Sequence, residues 1–203
     1  MKYKFLISIT PVIFLSCASI CRVQPITQRI YNKDVNFDTS EIPCYKVNDF
    51  KTAVVQTIQA IYSEEFEKQL ADHIANKIGK GDHAKAWENL NARNITQKMR
   101  EQINGEYVET YGGIKGLWLN WIYGNVAYDG TQSGPIRLNR IPLKKRSIAK
   151  ISNTIAHETA HRIGLSHPHS KTDLNIAFKE PPYVIGTIVE NIVKQQMQIQ
   201  AAH

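Results

Sequence analysis

The reading of this chain turns on His157-Glu158-Thr159-Ala160-His161-Arg162-Ile163-Gly164-Leu165-Ser166-His167. On an α-helix, positions i and i+4 sit about 6 Å apart on one face, so His157 and His161 can grip one ion together. Glu158 follows the first histidine but points roughly 100° around the axis, which lets its carboxylate reach a water on the ion without being a ligand. That is the position of a general base. Gly164 stands where such a helix must end, because glycine tolerates the left-handed conformation that stops a helix and turns the chain. The turn then brings His167 back towards the ion. Three neutral imidazoles and one open position suit catalytic zinc, whereas structural zinc is closed by four protein ligands, usually with thiolates. Cys17, Cys21 and Cys44 are the chain's only cysteines, too few for a four-thiolate cage.

The run resembles the extended zinc signature of the metzincin metallopeptidases, and Gly164-Leu165-Ser166-His167-Pro168 is particularly similar to the corresponding stretch of serralysins and matrixins. The resemblance implies an α+β, zincin-like fold: a small mixed sheet packed on a backing helix and an active-site helix, with a short C-terminal helical subdomain. It implies a metalloendopeptidase that holds Zn2+ through His157, His161 and His167 and hydrolyses peptide bonds with Glu158 as general base. Zincins bind an extended peptide along an edge strand just ahead of the metal-binding helix. That implies substrate-binding roles for Ile136, Leu138 and Asn139 in the alternating segment Ile136-Arg137-Leu138-Asn139-Arg140-Ile141.

One departure from the family stands out. Metzincins place a methionine in a tight turn beneath the metal, after the third histidine, whereas the methionines here are Met1, Met99 and Met197. Pro181-Pro182-Tyr183-Val184-Ile185-Gly186 is the expected substitute for that turn. Tyr183 is then a candidate catalytic residue, as a ligand or as a donor to the developing oxyanion, with a half-buried core tyrosine as the structural alternative. In gluzincins the third ligand is a glutamate on a later helix, a role that Glu190, and more weakly Glu180, could take. The short tether through Gly164 favours His167, and Glu190 reads as a surface residue on an amphipathic helix.

At the other end, Lys2 and Lys4 precede an apolar stretch from Phe5 to Leu15 that is too short to span a bilayer and has the build of a signal peptide. Residues 1–16 are therefore set apart from the fold. Phe14-Leu15-Ser16-Cys17 resembles a bacterial lipobox, making Cys17 a candidate for lipidation and membrane attachment; Ser16-Cys17-Ala18 also suits ordinary signal-peptidase cleavage. Both routes lead to a bacterial cell envelope or to secretion. There Cys21 and Cys44 either pair as a disulfide or stay free.

Residues 17–47 read as a polar tether or extended arm, and residues 48–203 as a single catalytic domain large enough for one substantial core. Apolar residues recur at helical spacing from Asn48 to about Ile78, with a break or a short strand around Ser63 to Lys68, and Ala84 to Ile103 reads as a further helix. The aromatic and branched residues between Gly116 and Tyr128 read as sheet. Ser147 or Ser152 opens the helix that bears the site, with Ile148, Ile151, Ile155, Ala156 and Ala160 packed on the sheet. Gly186 to Met197 reads as a last helix.

The formal charge of +7 falls to about +5 without Lys2 and Lys4, which suits acidic peptides or an anionic envelope surface. Lys144-Lys145-Arg146 reads as a solvated loop, and no stretch has the pattern of a nucleic-acid module. His73 and His83 lack ligand partners at useful offsets, and His169 reads as a loop histidine beside the site. The expected partner is a peptide or protein substrate, and the expected state a monomer. A non-catalytic surface binding protein on the same scaffold is the second reading; it rests on the missing methionine turn.

Overall fold

The computed structural model describes residues 20–23, 25–30, 33–39, 41–77, 84–112, 127–129, 135–167 and 179–202. The expected signal segment, Cys17, His83, His169 and the strands expected between residues 116 and 126 lie outside them. The described residues form an α+β chain. Strands β1 (Ile20–Arg22), β2 (Ile26–Ile30), β3 (Lys33–Thr39) and β4 (Glu41–Pro43) precede helices α1 (Val47–Tyr62), α2 (Glu64–Lys77) and α3 (Ala92–Ile103). Strands β5 (Glu106–Tyr111), β6 (Ala127–Asp129) and β7 (Ile136–Asn139) follow, and then a helical turn, α4 (Arg140–Leu143), and helices α5 (Ile148–Arg162) and α6 (Pro181–Ala201).

Helix α1 packs against β2 and α5. Phe50, Ala53, Val54, Thr57, Ile58 and Ile61 fall on one face at intervals of three and four residues and are fully buried. The expected break comes at Ser63, whose hydroxyl donates to the Ala60 carbonyl (2.7 Å) and accepts from the Phe66 amide (3.2 Å). One serine thus ends α1 and caps α2. The stretch from Ala84 to Ile103 is not one helix, because the Asn91 side chain accepts the Asn94 amide at 3.2 Å and starts α3 only at Ala92.

Five strands form a mixed sheet in the order β2-β3-β5-β7-β6. β2 and β3 are an antiparallel pair, β3, β5 and β7 run parallel, and β6 returns antiparallel beside β7. β1 pairs with β4 in a separate two-stranded ribbon, bridged by a Cys21–Cys44 disulfide.

This topology corrects two expectations. The segment expected as a tether is built into the fold from Ile20 onward. Four of its apolar residues, Val23, Ile26, Val35 and Ile42, are buried, while Ile20 and Tyr45 are exposed, and the sparse polar-rich alternation that resembles linker sequence is that of short half-buried strands. The second correction concerns the substrate strand. β7 lies between β5 and β6, so its backbone is paired on both sides. Ile136 and Leu138 are core residues, and the fully buried Asn139 accepts the Ile141 amide at 3.1 Å to start α4. None of the three lines a peptide groove. Among the described residues, the sheet ends on this side at β6.

Helix α5 lies between α1 and α6. The Ser152 hydroxyl donates to the Ala53 carbonyl across the α1–α5 contact at 3.1 Å. Helix α6 makes the most extensive packing with α5, so the expected short C-terminal subdomain is instead one 21-residue helix belonging to the core. Gly186 permits that packing: a Cβ there would lie 2.9 Å from the Asn153 backbone oxygen. No described helix is long and apolar enough to cross a membrane.

Candidate metal centre

The site is built on α5. Ser147 caps the helix by accepting the Lys150 amide at 3.4 Å. Ile151, Ile155, Ala156 and Ala160 are buried as the spacing predicts, and Ser152, Thr154 and Thr159 are buried too. Their hydroxyls donate to the carbonyls four residues back, at 3.2, 3.0 and 2.9 Å. This satisfaction lets a helix with so many polar residues sit inside the protein.

The helix ends as Gly164 requires. The Gly164 amide donates to the His161 carbonyl (3.0 Å) and the Leu165 amide to the Ala160 carbonyl (3.1 Å), with Gly164 at φ +92°. These two bonds are the Schellman pattern. The same turn presents the Leu165 carbonyl to Nδ1 of His161 at 2.9 Å, so the glycine both redirects the chain and orients a ligand. Beside it, Arg162 forms an almost wholly buried 3.2 Å ion pair with Glu106 at the start of β5. That pair fixes the C-terminal end of α5 to the sheet.

His157, His161 and His167 come together as the sequence predicts. One ring nitrogen from each lies within 4.8 Å of the others, and Nε2 of His157 is 3.2 Å from Nε2 of His167. The remaining nitrogens are held from outside. A backbone carbonyl accepts from His161, the Pro182 backbone carbonyl accepts from His157, and a Glu180 carboxylate oxygen lies 3.3 Å from His167 Nδ1. A nitrogen that donates outward leaves its partner's lone pair pointing inward, as a metal ligand requires. Burial, and then the neighbouring His161 and His167, push the His157 pKa down to about 3. Burial and His161 also lower that of His167, with Glu180 opposing. Both shifts favour the neutral rings of His157 and His167.

The donor set fits a divalent metal ion. Nitrogens bound at about 2.0–2.1 Å in a tetrahedron lie about 3.3 Å apart, close to the 3.2 Å between the His157 and His167 nitrogens. Imidazoles suit zinc, copper, iron or nickel rather than calcium or magnesium.

Glu158, the candidate base, is 6% exposed. Tyr183 lies over the cluster, its ring centroid 4.6 Å from that of His157 and 4.5 Å from that of His167. Burial, Glu158 and Glu180 raise its pKa, so the phenol stays protonated and able to donate. The segment Pro181 to Gly186 is not a free turn, however. It is the first turn of α6, with prolines at its first two positions.

Glu190 is not a surface residue. It is buried and accepts from Lys150 and Asn153 (2.9 Å each) and pairs with Lys194 (2.7 Å), so it stands apart from the histidines as a link between α5 and α6. Met99 is in the core of α3, and Met197 packs near the end of α6. His73 packs on Trp87 at 4.8 Å. A cleft of about 680 Å³ between α2 and α3 has no histidine of the cluster in its lining. Arg100, on its wall, is occupied with the carbonyls of Ile61, Tyr62 and Ser63.

No family model, curated protein or solved structure matches this chain. Sequence reading missed the Pro182 carbonyl, the Arg162–Glu106 pair and the place of Glu180 beside His167. Only Glu180 had left a signal, as an acid directly before a Pro-Pro helix start.

Proposed function

We propose that this protein is an exported, metzincin-like zinc metalloendopeptidase. One observation carries the reading: three inward-facing imidazoles, each held from behind, beside the buried carboxylate of Glu158 on the same helix. His157, His161 and His167 would hold the zinc ion, which when bound supplies Lewis acidity and an acidified water. Glu158 accepts the proton of the attacking water and returns it to the leaving amine. Tyr183, protonated, donates a hydrogen bond to the oxygen on which negative charge develops. At β6, the last strand of the sheet among the described residues, an extended peptide would add its backbone. The Cys21–Cys44 disulfide supports an oxidising compartment, in keeping with a signal peptide and a lipid on Cys17.

The test is metal analysis together with cleavage of a denatured protein mixture. The protein should bind about one zinc per chain through this site and cleave, and Glu158→Gln should keep the metal and lose at least 100-fold in activity. Activity retained by Glu158→Gln would refute the mechanism. A zincin scaffold used for binding alone is favoured by one observation, the replacement of the methionine turn by the first turn of α6. Zinc bound without any cleavage would support that reading instead.

A further inference from the structure

We propose that Glu180 is a positioning residue for His167, completing a carboxylate–histidine–metal relay supplied by the first turn of α6. The inference rests on the metal-site reading above.

Three observations carry it. Glu180 is fully buried and its carboxylate oxygen lies 3.3 Å from His167 Nδ1, while Nε2 of the same ring faces His157. Glu180 also occupies the N-cap of α6 and makes no side-chain cap bond there. Pro181 and Pro182 are the first two helical residues and have no N–H to offer, which leaves the Tyr183 amide as the one remaining helix donor at the usual cap positions. Finally, Trp87, fully buried, donates from Nε1 to the Lys179 carbonyl at 2.9 Å and fixes the backbone one residue before Glu180.

The need for such a device follows from the chain's layout. His157 and His161 are aligned by α5, but His167 lies beyond the Gly164 turn, outside any helix or strand. Its ring requires an orienting partner from elsewhere, and a carboxylate on Nδ1 both fixes the tautomer and raises the basicity of Nε2.

The experiment is titration of the metal-free protein with Zn2+ against a competing chelator, and with Co2+ followed by its visible spectrum. Glu180→Ala should weaken Zn2+ binding about 10–100-fold. In a His167→Ala background the same change should cost almost nothing, because its target is gone; a purely structural role would cost the same in both backgrounds. Glu180→Gln keeps volume and an acceptor, and should lose several-fold in affinity and shift the Co2+ spectrum. It carries the test if the alanine variant does not fold. Affinity within two-fold of the parent for the folded variants, or an undiminished loss in the His167→Ala background, would overturn the proposal. A parent protein that binds neither metal would instead overturn the metal-site reading itself.

Discussion

Gly186→Ala tests the packing that sets the site. The residue lies in α6 where that helix crosses α5, and the added Cβ would sit 2.9 Å from both the Asn153 carbonyl oxygen and its side-chain oxygen. Ordinary contact begins near 3.4 Å, so the helices must part by about half an ångström, because even if the Asn153 side chain swings away its backbone oxygen cannot. Such overpacking costs about 1–3 kcal/mol, and alanine returns about 1 kcal/mol of helix propensity over glycine. The net is a loss of about 1 kcal/mol, a fall in Tm of about 2–4 °C for a chain of this size. The same displacement carries away Glu180, Pro182 and Tyr183, which lie within two turns of Gly186 and all touch the histidines. Calorimetry and Zn2+ titration on one preparation measure both effects. A variant with a higher Tm and unchanged metal affinity would show that α5 and α6 do not cross this closely.

Gly164→Ala meets no atom within 4 Å and is strained only by its φ of +92°; it should cost about 1–3 kcal/mol, read as a lower denaturant midpoint, and weaken metal binding by moving Leu165 off His161. Replacing Cys21 and Cys44 by serine opens a loop with a sequence separation of 23, worth about 3 kcal/mol, and should lower Tm by about 6–12 °C; a fall under about 2 °C would show that the ribbon is held by packing alone. Glu190 should shape the acid limb of stability. Burial opposes its ionisation, but hydrogen bonds from Lys194, Lys150 and Asn153 outweigh that and hold its pKa below the usual carboxylate value. Its stabilisation is therefore complete above about pH 4.5 and is lost as pH falls through the lowered folded pKa. Glu190→Gln should be less stable at neutral pH and show a flatter decline in acid, measured by urea unfolding from pH 6 to 3.

What the sequence made legible is what it encodes locally. The ligand run is contiguous, and its logic is that of one helix and one turn: i, i+4 spacing, a glycine stop and a short return. The α1 face was equally plain, because its residues repeat at helical intervals and are all buried. The strands were harder. β2 and β3 carry one buried apolar residue at a time among polar ones, and β5, Glu106-Tyr107-Val108-Glu109-Thr110-Tyr111, buries a glutamate in its first position. Gln102 donates to that glutamate at 3.0 Å from four residues earlier, but the charge that pairs with it is on Arg162, 56 residues later, and no window of sequence contains both.

The same separation governs the site. A ligand set can be written in eleven consecutive residues, but the groups that orient those ligands must approach from behind, and behind α5 is α6. The contacts to His157 and His167 therefore come from a segment that follows the last ligand by more than ten residues. Its own spelling, Glu180-Pro181-Pro182-Tyr183, reads locally as a turn or a helix start. A helix start is a rigid way to present an acid, a backbone carbonyl and an aromatic ring together, since two prolines fix the backbone and withdraw two of the amides that could compete for the acid. The chain sets against the histidines a helix terminus whose side chains and carbonyl contact His157 and His167. That arrangement makes the site sensitive to substitutions at Glu180, Gly186 and Trp87, none of which would touch the ion.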